Sequence, residues 1–139
     1  MNFEDFIKTK KARISSKNIN LAKSLLKNSI KDLKFLETLE INENSSRKIM
    51  VNYYEILRSI LESITSLQGY KVYEHEAFTY YLKKINENNL SIKFDRLRKI
   101  RNSINYYGED ISIEETREIK GEIKKIIEHL IKKYLSEAK

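Results

Sequence analysis

The 139-residue chain has no cysteine, two histidines and a formal charge of +7. Disulfides and thiolate metal sites are therefore excluded, and His75 and His129 are too few and too far apart in sequence to make a metal cluster. No apolar run approaches the roughly 20 residues that span a bilayer, and the charged N-terminus Met1-Asn2-Phe3-Glu4-Asp5-Phe6 lacks a signal peptide's apolar core. The expectation is one cytoplasmic domain over residues 1–139 that needs no cofactor.

Proline is absent and glycine occurs three times. Such scarcity predicts long helices and leaves almost none of the turn chemistry that a hairpin-rich sheet needs. A short helix is expected over about 2–12 with Phe3, Phe6 and Ile7 as its apolar edge. A long one follows over roughly 16–40, where Ala22, Leu25, Leu26, Ser29, Leu33 and Leu36 recur at three-and-four spacing. Asn42-Glu43-Asn44-Ser45-Ser46 is a polar break, and either serine can cap the next helix.

That helix, about 46–68, carries Met50, Tyr53, Tyr54, Leu57, Ile60, Leu61, Ile64 and Leu67 on one broad stripe, with Lys48, Glu55 and Glu62 facing away. Gly69 stands where a left-handed residue would end it. A shorter helix over about 74–86 carries Ala77, Phe78, Tyr81, Leu82 and Ile85, and Ser91 is a candidate cap for a basic helix over about 92–106. Gly108 stops that helix. Ser112 with Glu115 forms a capping-box pattern that opens a last helix, about 113–136, buried through Ile119, Ile123, Ile126, Ile127, Leu130 and Tyr134. The fold class is all-α, an up-and-down bundle of four to five principal helices.

The basic helix holds the candidate site. Lys93, Arg96, Arg98, Lys99 and Arg101 face a single acid, Asp95. At about 100° per residue, Phe94, Leu97, Ile100 and Ile104 share the buried sector, while Arg98, Arg101 and Asn105 fall together at the boundary between core and water. A partly desolvated guanidinium there suits bidentate recognition of phosphate, with Asn102 one step round to orient it. The competing reading is that such an arginine packs its stem on the core and pairs with a glutamate of the next helix.

Three segments, in order, carry a resemblance. They are Tyr53-Tyr54-Glu55-Ile56-Leu57-Arg58-Ser59-Ile60-Leu61-Glu62, then Leu67-Gln68-Gly69-Tyr70-Lys71 with His75, Ala77 and Tyr81-Leu82, and then Phe94 through Gly108 with Arg101-Asn102-Ser103-Ile104-Asn105-Tyr106-Tyr107-Gly108. Together they resemble HEPN domains, prokaryotic helical bundles often partnered with minimal nucleotidyltransferases, over about residues 20–130. The resemblance implies a homodimer that brings two polar motifs into one cleft, in a toxin–antitoxin or defence module. Many members are metal-independent RNases that use an arginine, a polar residue and a histidine four to six residues after the arginine. Arg101 and Asn102 match the first two positions, but the histidine window holds Tyr106 and Tyr107.

Chemistry weighs against the tyrosines as substitutes. Histidine exchanges protons near its free pKa of about 6.5, whereas tyrosine, at about 10, is roughly 0.1% ionised at pH 7. Acting as base would need its pKa lowered by about three, worth about 4 kcal/mol. The expected function is therefore binding of RNA phosphate or a nucleotide through Arg96, Arg98, Arg101 and Asn105, with weak or no cleavage by Arg101, Asn102, Tyr106 and Tyr107. The alternatives are an active endoribonuclease using Tyr106, Tyr107 or His129, and a protein-binding adaptor. His75 reads as a helix-start or packing residue and His129 as a boundary residue. Tyr53, Tyr54, Tyr80 and Tyr81 read as core and interface aromatics. The cluster Lys8, Lys10, Lys11, Arg13 and Lys17 reads as a solvated face or a nucleic-acid contact.

Overall fold

In chain order the elements are α1 (Phe3–Lys8), β1 (Ala12–Ile14), α2 (Ile19–Glu37), α3 (Ser46–Gln68), β2 (Tyr70–Val72), α4 (Glu76–Lys84), α5 (Asn88–Tyr107) and α6 (Ile113–Tyr134), then a 3₁₀ turn at Ser136–Ala138. They come from a computed structural model that describes residues 1–138. The architecture is an all-α bundle in which α2, α3, α5 and α6 are the long members. α3 is its axis, packing against α2, α6 and α5, while α4 lies on α5.

Burial explains why α3 is central. Its apolar stripe covers a broad face over about six turns, so Ile49, Met50, Tyr53, Tyr54, Ile56, Leu57, Ile60, Leu61 and Ile64 are all buried. Each such side chain contributes roughly 1.5–3 kcal/mol on leaving water. Small polar residues let the neighbours approach: the buried Ser63 hydroxyl donates to the Ala22 carbonyl of α2 at 2.8 Å. Gly69, at φ +84°, ends α3 in the left-handed conformation that its missing Cβ permits.

The boundaries differ from expectation in three places. The first helix stops at Lys8, because Lys10 turns to φ +62° and the chain enters β1, which pairs antiparallel with β2. Three-residue strands carry no periodic signal, and these lie 58 residues apart (Arg13 opposite Lys71), so the sequence offered nothing to pair them. α2 begins after Asn18, whose side chain accepts from the Leu21 amide. α5 begins four residues before the expected start. Ser91 is not its cap: it is buried inside α5, where its hydroxyl donates to the Thr79 carbonyl of α4 at 2.8 Å. The Ser112 cap is in place, accepting from the Glu115 amide. No helix is long and apolar enough to cross a membrane among the described residues.

Candidate arginine cluster

α3 and α5 pack so that Arg101 meets Glu55, which periodicity had placed on the outward face of its own helix. Arg101 Nη2 donates to Glu55 Oε1 at 2.9 Å, and Arg58 Nε donates to Glu55 Oε2 at 3.0 Å. Arg58 also reaches Glu62 through Nη1 at 3.0 Å. Arg98, with its side chain 14% exposed, holds Asp95 at 2.8 Å and lies 3.7 Å from Glu76 at the start of α4. Lys99 adds a second bond to Asp95 at 3.0 Å. Arg58, Arg98, Lys99 and Arg101 thus meet Glu55, Glu62, Glu76 and Asp95, and the cluster is charge-balanced.

Aromatic groups complete the cradle of Arg101. Its guanidinium carbon lies 5.6 Å from the centroid of the buried Tyr54 ring and 5.7 Å from that of the exposed Tyr106. Nη1 donates to Asn102 Oδ1 at 3.2 Å and to the Tyr106 hydroxyl at 3.3 Å. Tyr106 and Asn102 therefore orient Arg101. Arg101 Nε is buried with no hydrogen-bond partner. Tyr107 is 79% exposed and Asn105 is also exposed, both away from these bonds.

The structure adds two residues to the cluster. Tyr54 lies with its hydroxyl 3.1 Å from Nδ1 of His75, which precedes α4. Burial, and then the positive charge of Arg58, push the His75 ring below its ordinary value, so it is neutral near pH 7. Burial raises the Tyr54 hydroxyl, which stays protonated. His75 occupies the helix N-cap position without a capping bond, and its ring feels the charges of Arg58, Glu55, Arg101 and Arg98. His75 thus starts a helix and packs on Tyr54, as expected, and through Tyr54 it adjoins the arginine cluster. A chain-order reading could not find this, because α3, the α4 start and α5 converge only in space.

The other candidates lie elsewhere. Arg96 pairs with Glu122 of α6 at 2.5 Å, outside the cluster. His129 bonds Glu87 at 2.8 Å, in an acid clasp that Tyr134 joins at 2.9 Å. Tyr53, Tyr54 and Tyr81 are core residues, as their helical spacing indicated. Beside Glu55, the cluster opens into a groove of about 260 Å³ between α2 and α3, lined by Asp32, Phe35, Asn52 and Ser59 among others. No group of acids and histidines able to hold a metal ion occurs among the described residues. No family model, no curated protein and no solved structure matches the chain.

Proposed function

We propose that the chain is a HEPN-like helical protein that binds an RNA phosphate or a nucleotide at the Arg58, Arg98 and Arg101 cluster. The observation that carries this reading is that part-buried Arg58 and Arg101, from α3 and α5, share the Glu55 carboxylate, with part-buried Arg98 one turn before Arg101. Because carboxylates balance the guanidiniums, the ligand enters by exchange. Its phosphate replaces Glu55 between Arg58 and Arg101, a geometry that two guanidinium forks serve well. On the same reading the protein is a homodimer in a toxin–antitoxin or defence module beside a minimal nucleotidyltransferase.

Tyr106, hydrogen-bonded to Arg101, supports the arginine and does not supply a base, so this reading includes weak or no cleavage. One observation favours a second reading. His75 lies within the cluster, whereas His129 is held by Glu87. Metal-independent RNA cleavage would therefore run through His75 as the proton carrier, with the arginines stabilising charge on phosphorus.

Incubating purified protein with mixed RNA in EDTA, as wild type, Arg101→Ala and His75→Ala, separates these readings. The binding reading expects retained RNA that is lost in Arg101→Ala, with no fragments. Fragments ending in 2′,3′-cyclic phosphate that depend on both residues establish the second reading. RNA and nucleotide binding unaffected by Arg101→Ala sinks both and leaves the adaptor.

A further inference from the structure

The strand pair puts two like charges face to face. Arg13 of β1 is directly opposite Lys71 of β2. Cross-strand partners project from one face of a sheet, and like charges at such a pair are destabilising. Elsewhere the bundle settles its close cations with acids: Arg96 with Glu122, Lys84 with Glu4, Lys120 with Glu37. Arg13 and Lys71 both turn to Tyr73. Arg13 Nε donates to the Tyr73 hydroxyl at 2.7 Å, and the Lys71 ammonium lies 5.9 Å from the ring centroid. Tyr73 is 54% exposed, so these contacts hold an aromatic ring at the surface.

Arg13 and Lys71 also line a cavity of about 150 Å³ at the seam between the strand pair, α2 and α3. That is room for about five waters, or a phosphate group with fewer. Ser15, Ser16 and Ser66 also line its wall. Glu62 is its acid, and Arg58 already neutralises that carboxylate at 3.0 Å. The cavity therefore offers two cations, three serines and an adjacent ring with its hydroxyl tethered.

We propose that this cavity binds a nucleoside monophosphate unit, with the phosphate between Arg13 and Lys71 and the base against Tyr73. A phosphate there relieves the repulsion of the pair, and a guanidinium can offer it a forked bond. The ring supplies a stacking surface that accepts any base. The unit is a free nucleotide or the 5′-phosphorylated end of a strand. The assignment stands apart from the reading of the Arg101 cluster, so either can fail alone.

Calorimetric titration of the full chain tests it with adenosine 5′-monophosphate, inorganic phosphate, and a short RNA with and without a 5′-phosphate. Wild type is expected to bind adenosine 5′-monophosphate or the phosphorylated RNA, and the ligand that binds identifies the source. Arg13→Gln with Lys71→Thr weakens that binding by about tenfold or more, as loss of charge-assisted phosphate bonds requires. Tyr73→Leu weakens adenosine 5′-monophosphate more than inorganic phosphate, and in an Arg101→Gln background, which removes binding at the other cluster, the component that depends on Arg13 and Lys71 remains. Lys71→Thr alone keeps a strand-forming residue and removes the like-charge pair, so it melts no lower than wild type and loses affinity if the double variant does not fold. Absence of saturable binding to both nucleotide and phosphorylated RNA overturns the proposal. So does unchanged affinity in Lys71→Thr and the double variant.

Discussion

Glu55 Oε1 accepts the Arg101 Nη2 hydrogen bond at 2.9 Å, joining α3 to α5 across the edge of the core. The same carboxylate holds Arg58, so one acid occupies the position between two guanidiniums that the proposed phosphate would take. Burial disfavours the charged Arg58, yet the hydrogen bonds and negative charges of Glu55 and Glu62 together outweigh that and strengthen its hold on the proton. Glu55 is thus both a structural tie and a competitor for the ligand.

Glu55→Gln separates those roles. Losing a part-buried charged hydrogen bond costs about 1–3 kcal/mol, and thermal melting should show the drop. RNA or nucleotide affinity should nevertheless rise several-fold, on the order of 1 kcal/mol, with steeper salt dependence as the cluster gains net positive charge. Weakened binding in filter or anisotropy assays, matching Arg101→Ala, would mean that the ion pair supports the site and does not compete with the ligand.

The helices were legible because their apolar residues recur on one face over many turns, as at Ile119, Ile123, Ile126, Ile127 and Leu130. Gly69 and Gly108 were legible as stops because both sit at positive φ. The acids that neutralise the arginines were not. Glu55 and Glu76 belong to other elements, and no spacing within α5 reveals them. Ser91 was misread for a related reason: a serine ahead of a basic helix looks like a cap, and its bond to the Thr79 carbonyl needs the α4–α5 packing.

His75 gives a pH signature. Its folded value lies below the ordinary 6.5, chiefly through burial and next through Arg58. Above about 6.5 both states hold it neutral and its share of stability is complete. As pH falls below 6.5 the unfolded chain takes the proton first, so stability declines until the lower folded value is passed. His75→Asn keeps an acceptor for Tyr54 but cannot titrate. Urea melts at pH 7.5, 6.5 and 5.5 should show a shallower decline for that variant, and parallel curves would remove His75 as the cause.

The Glu87 clasp predicts a second acid-sensitive step. Burial raises this carboxyl, but hydrogen bonds from His129 and Tyr134 outweigh it and hold the group below its ordinary 4.5. Its contribution is present above 4.5 and is lost as pH falls through the lower folded value. Glu87→Gln should cost about 1–3 kcal/mol at pH 7 and flatten stability below pH 4.5. Amide exchange should quicken in the last turns of α6, which the clasp ties to the α4–α5 junction.

Two glycines should respond in opposite directions to the same substitution. Gly69 sits at φ +84°, and an added Cβ would lie 3.0 Å from the Ser15 carbonyl oxygen. That oxygen belongs to backbone tied to Gly69 itself, since the Ser15 amide donates to the Gly69 carbonyl at 2.8 Å. The neighbour cannot yield without disturbing the strand pair. Left-handed strain alone costs about 1–2 kcal/mol, so Gly69→Ala should destabilise by at least that and loosen β1 from β2. Gly121 lies mid-helix in α6 with nothing within 4 Å of an added Cβ. Gly121→Ala should stabilise by about 0.5–1 kcal/mol, because alanine loses less backbone entropy on entering a helix. Paired denaturant melts decide it. A Gly69→Ala variant as stable as wild type would mean that the α3–β2 turn relaxes freely, and the strand pair would then be a soft platform for the proposed nucleotide cavity.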